Sequence, residues 1–183
     1  MNERSETFLE QIGKKKAFMI LKQALGKDAI QGCRQNEVKA TIPYICLRMN
    51  LDDQYNELAY YTLSHKGKDF IHQHIVDAFA IQTANEHTKP IKITYALIGI
   101  YLHIEKGYTG KQVQVAHVEM SKKSKVFPKI ILPTNRGEIS IADVLKITDA
   151  EERDKLIHGW CETIWKAFAS QQELIKDITE SLL

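Results

Sequence analysis

Apolar residues recur along most of the chain at helical intervals, and their spacing divides it into segments. From Thr7 to Leu25, Phe8, Ile12, Phe18, Ile20, Leu21, Ala24 and Leu25 recur loosely at helical spacing, and Gly26 supplies a left-handed stop. Glu37 to Met49 leans to β through Val38, Thr41, Ile42, Tyr44 and Ile45, but Pro43 interrupts it, so a short strand pair or an extended arm is expected. Helical spacing returns over Tyr55 to Ser64 and over Lys68 to Ala84. A turn at Gly67 separates these two, and Asp69 stands where a first-turn carboxylate complements the helix dipole.

Pro90 opens and Gly107 closes a segment whose Ile91, Ile93, Tyr95, Leu97, Ile98, Ile100, Tyr101, Leu102 and Ile104 are apolar nearly all round. A helix without a polar face has to be surrounded by other elements, which puts this one at the centre of a bundle. Gly110 to Lys122 is amphipathic through Val113, Val115, Ala116 and Met120. The Phe127-Pro128 step and the Pro133 to Gly137 stretch then predict an irregular connection, a kind of segment that often carries function in compact domains. Ser140 is placed to cap a short helix through Ala142, Val144 and Leu145. Asp149 with Glu152 reads as a capping box opening a long C-terminal helix, in which Ile157, Cys161, Ile164, Phe168, Ile175, Ile178 and Leu182 alternate by four and three with a break at Gln171.

These elements predict a mainly all-α fold, a single-domain bundle of five or six helices over residues 1–183, with a short β element allowed near residues 37–49. No repeat, low-complexity stretch or linker divides it. Composition agrees, since 44% hydrophobic and 26% charged residues suit an ordinary packed core. A formal charge of +2 gives no field strong enough to hold a phosphate backbone or an anionic bilayer, so neither nucleic acid nor membrane is expected as a partner. The basic residues before Leu51 and the cluster Lys122, Lys123, Lys125 and Lys129 read as solvated faces. Three cysteines, Cys33, Cys46 and Cys161, form no CxxC pair, and the polar first residues and lack of a long apolar run complete the expectation of a cytoplasmic protein.

No glycine-rich phosphate loop, GxSxG elbow or HExxH pair occurs, which disfavours nucleotide hydrolases, common serine hydrolases and zincins. The densest polar stretch on an apolar background runs from His72 to Gln82. His74 and Asp77 are three apart and share a helix face, where a carboxylate can fix an imidazole tautomer for metal ligation or proton transfer. The alternative is that Asp77 and Gln82 satisfy buried polar groups between helices. His103, His117 and His158 belong to three further helices, with Glu162 one turn after His158. Their convergence with His72 or His74 would build a metal site, although the usual Glu-x-x-His signature is missing. Trp160 and Trp165 read as core anchors, and Cys161 as a buried thiol with no basic neighbour to activate it. Tyr55, Tyr60, Tyr61, Tyr95, Tyr101 and Tyr108 suit either a pocket lining or packing.

From Tyr55-Asn56-Glu57-Leu58-Ala59-Tyr60-Tyr61 onward, the chain resembles a bacterial family of unknown function. The likeness continues through the H-x-x-x-V-D-A-F-x-x-Q stretch His72 to Gln82, through Leu97-Ile98-Gly99, Glu105-Lys106-Gly107 and Ile141 to Leu145, and ends with His158-Gly159-Trp160-Cys161 and Ile164-Trp165. It covers roughly residues 55–170 and implies matching family positions for His72, Asp77 and Gln82. Other members carry further histidines where this chain has Thr83, Ala96 and the Gln171-Gln172 region, so a metal site built on those would be incomplete here. Many also open with a cysteine-rich, zinc-type segment that Cys33 and Cys46 alone do not reproduce. The resemblance brings no activity and no cofactor.

Two functional expectations follow. The first is binding of a small ligand or a protein partner at an inter-helix pocket near His72, Asp77 and Gln82, with a homo-oligomer allowed. The second is a metal-dependent or acid–base hydrolase or transferase using His74, Asp77 and either His117 or His158.

Overall fold

The computed structural model describes residues 50–64, 71–123 and 126–183, all within one unit, Met49–Leu183. The expected helix Thr7 to Leu25, the β-leaning stretch Glu37 to Met49, the turn at Gly67 and the extension of the domain back to residue 1 lie outside the described residues. Among those described there are seven α-helices and no strand. They are α1 (Leu51–Ser64), α2 (His72–Gln82), α3 (Pro90–Ile104), α4 (Gly110–Ser121), α5 (Ile141–Lys146), α6 (Ala150–Ala167) and α7 (Gln172–Leu182). No helix among them is long and apolar enough to cross a membrane.

Helix α3 is the hub that its all-round apolar surface predicts. It packs against α2, α4, α6 and α7, while α2 also meets α1, α4 and α6. Ile93, Ala96, Leu97, Ile98, Ile100, Tyr101 and Leu102 of α3 are buried, and Ile75, Ile81, Ile157, Trp160 and Ile164 close around them. Pro90 occupies the first turn of α3, where its missing N–H is no loss. Gly107 takes φ 68°, the left-handed conformation that lets the Tyr108 N–H reach back to the Leu102 carbonyl and stop the helix.

Capping side chains set the helix starts, and one start moves from its expected place. Helix α1 starts at Leu51, ahead of the expected Tyr55, because the Asn50 side chain accepts the Asp53 N–H at 2.9 Å and two aspartates fill the first turn. Ser140 caps α5 with a reciprocal bond from Asp143, and Thr109 caps α4 in the same way with Gln112. Asp149 caps α6 by accepting the Glu152 N–H, but the Glu152 side chain makes no return bond, so the expected capping box is only half formed.

The long C-terminal helix is broken. It ends at Ala167, passes a 3-10 turn at Ala169–Gln171 and restarts as α7. Continued straight, the apolar seam would carry Gln171 inward. The turn instead frees its amide to clasp the Ile131 backbone, accepting from the N–H at 2.9 Å and donating to the carbonyl at 2.5 Å. The irregular connection is thereby tied to the end of α6, and the Gln82 amide ties its other end by donating to the Ile139 carbonyl at 2.6 Å.

Candidate functional site

His72, Asp77 and Gln82 follow one another at steps of five, and at about 100° per residue each step turns the side chain by about 140° around the helix. The three accordingly meet different neighbours. His72 Nδ1 lies 2.8 Å from the Thr62 hydroxyl on α1, and burial holds its pKa below the ordinary value. Asp77 faces α3, and Gln82 faces the connection.

Asp77 is buried against the middle of α3. Gln73 donates to its Oδ1 at 3.1 Å, whereas Oδ2 is buried with no hydrogen-bond partner. Gly99 makes the approach possible, since a Cβ there would stand 2.1 Å from Asp77 Oδ2 and 3.2 Å from His117 Cε1. Burial drives the Asp77 carboxyl well above its ordinary range, more than the Gln73 bond pulls it down. His117 donates its Nε2–H to the Tyr95 carbonyl at 3.1 Å, and burial lowers its pKa. Cys161 is fully buried, and burial followed by the nearby Asp77 charge pushes its thiol pKa up, so it is no nucleophile. Trp160 and Trp165 are core residues as expected, and Trp165 donates its indole N–H to Glu105 at 2.9 Å.

Three imidazoles from three helices form a row. His74 of α2, only 4% exposed, stacks on His103 of α3 with centroids 3.6 Å apart and planes 23° from parallel. Burial first, and then the neighbouring imidazoles, bring the His74 pKa down to about 3. Its Nδ1 has no partner. His103 Nδ1 lies 3.1 Å from the Tyr108 carbonyl, which can only accept, so Nδ1 carries the proton and Nε2 presents a lone pair. That lone pair meets His158 Nδ1 of α6 at 3.0 Å, with the two rings at 84°. His158 Nε2 lies 3.8 Å from a Glu162 carboxylate oxygen, and both side chains are about half exposed. The row thus runs from the core to solvent. Among the described residues no group of three or more His, Cys, Asp or Glu is arranged to hold a metal ion.

Gln82 borders a cleft of about 490 Å³, shared with Gln54, Phe79, Thr83, Asn135 and Arg136. Arg136 also lines a second cleft of about 630 Å³ beside Thr88, Lys129 and Ile130. Its Nη1 donates to the Gln82 carbonyl at 2.9 Å and to the Ala84 carbonyl at 2.5 Å, closing the C-terminal end of α2, while Nε is buried with no partner. No carboxylate pairs with this guanidinium among the described residues. The sequence marks the connection as unusual but does not single out Arg136. The only signal was a lone cation between turn residues Asn135 and Gly137.

Thr83, Ala96, Gln171 and Gln172 have structural partners here. The Thr83 hydroxyl donates to the Phe79 carbonyl, Ala96 is buried, Gln171 clasps Ile131, and Gln172 donates to the Trp165 carbonyl. No curated protein and no solved structure matches the chain. The model of a family of unknown function, DUF5946, matches residues 49–169, a span that contains Asp77, the imidazole row and the Arg136 clefts, and the chain belongs to that family.

Proposed function

We propose that the domain binds a small anionic ligand in the cleft beside Gln82, with Arg136 as the charged anchor. The observation that carries this is the guanidinium with two carbonyl partners and no carboxylate. Carbonyl groups at a helix C-terminus complement a cation only in part, so its charge is left for a ligand. A guanidinium offers a planar fork that suits a carboxylate or phosphate. Gln54, Thr83 and Asn135 on the same cleft wall supply neutral polar groups, and Phe79 supplies an apolar surface.

The alternative acid–base or metal enzyme would draw on His74, Asp77 and either His117 or His158. In this arrangement His117 accompanies Asp77 at Gly99, and His158 accompanies His74 through His103, so the set has two centres. Ligand binding is therefore the preferred reading.

Thermal melts in inorganic phosphate, succinate and citrate, each against sodium chloride of equal ionic strength, test it. At least one anion should raise Tm by mass action on the folded state, and Arg136→Gln should abolish the rise. No anion-specific rise, or an equal rise in Arg136→Gln, would refute the proposal.

A further inference from the structure

We infer that His103 and His158 form a two-imidazole site for a late divalent transition ion of the Ni2+ or Cu2+ kind, with solvent supplying the remaining ligands. This goes beyond the anion cleft and shares no residue with it.

The spacing is the first ground. His103 Nε2 and His158 Nδ1 are 3.0 Å apart. With metal–nitrogen bonds of about 2.0–2.1 Å, two nitrogens at that separation subtend about 95° at the metal. That is the cis angle of square-planar or octahedral coordination, whereas a tetrahedral ion would want them about 3.4 Å apart.

The second ground is what stands behind each ring. A ligating histidine typically gives its other N–H to a carbonyl or a carboxylate, which fixes the tautomer and strengthens the lone pair. His103 has this arrangement already, with Nδ1–H on the Tyr108 carbonyl. His158 has Glu162 on its far side, 3.8 Å from Nε2. In the metal-free site His158 donates its Nδ1 proton to His103. A metal taking that nitrogen requires the other tautomer, with the proton on Nε2 on the Glu162 side.

The third ground is restraint and access. His74 stacks flat on His103 from inside the core, which holds the ring in place. The half-exposed His158 leaves an approach from solvent.

Calorimetric titration of the untagged full-length protein with Ni2+ tests the site. The wild type should bind one His158-dependent equivalent, and His158→Ala should weaken it by about tenfold or more, because one of the protein's two ligands is lost. His158 is exposed enough for the variant to fold, which circular dichroism checks. Glu162→Gln should weaken binding less than His158→Ala does. His87→Ala, at a ring 85% exposed elsewhere on the surface, should change nothing. Cu2+ bound to the wild type should show two nitrogen couplings by electron paramagnetic resonance, reduced to one in His158→Ala. No saturable Ni2+ binding up to about 1 mM, or a smaller than tenfold effect of His158→Ala, would overturn the inference.

Discussion

Replacing Asp77 by asparagine isolates the consequence of burying a carboxyl group at the centre of the bundle. The group is 4% exposed, accepts one hydrogen bond from Gln73 and leaves Oδ2 without a partner, so ionising it in place is unfavourable and its pKa rises. Between the ordinary carboxyl value of 3.8 and the raised native value, the unfolded chain has released this proton while the folded chain still holds it. The Asp77 contribution to stability is therefore fully present below 3.8 and is lost as pH rises to the native value. One proton sets the slope at about 1.4 kcal/mol per pH unit within that window. Asparagine keeps the shape and the acceptor toward Gln73 but does not titrate. The stability of wild type minus Asp77→Asn should fall at that slope as pH rises. At the acid end the two should agree within about 1 kcal/mol, because both then carry a neutral side chain with one bond. At neutral pH the variant should be the more stable. Urea denaturation of both proteins from about pH 4 to about pH 7 measures this, and the histidines cancel because both chains carry them. Parallel profiles would mean that the Asp77 carboxyl does not sit in a desolvated environment, and the account of this core contact would fail.

Gly99→Ala should destabilise the protein by about 3 kcal/mol, the upper end for overpacking, since its Cβ would stand 2.1 Å from Asp77 Oδ2. Adding Asp77→Ala should recover at least about 1 kcal/mol of that loss in a double-mutant cycle, and strict additivity would show that the two residues do not touch. Ile164→Asp should unfold or aggregate the protein, because the position is fully buried and offers no partner for a charge, and a soluble variant with an unchanged melt would contradict that packing.

The sequence by itself determined the helical class and the order of the helices, because these rest on local rules. Periodicity placed α3 at the centre, Pro90 and Gly107 bounded it, and Ser140 and Asp149 capped α5 and α6 with their own side chains. The resemblance to a family of unknown function was legible in short motifs, and the match over residues 49–169 bears it out. What the sequence could not decide was which polar residues meet. His72, Asp77 and Gln82 look like one group along the chain, but steps of five residues send them to three sides of α2. His74, His103 and His158 lie on separate helices, and only the packing of α2 and α6 against α3 brings their rings into contact. The break before α7 follows the same logic, since the seam lacks an apolar residue at Gln171 and the fold uses that amide to hold Ile131. Hydrophobic spacing along a helix reports which face is buried, while the partner of a polar side chain depends on another element at a distance that only the tertiary structure sets.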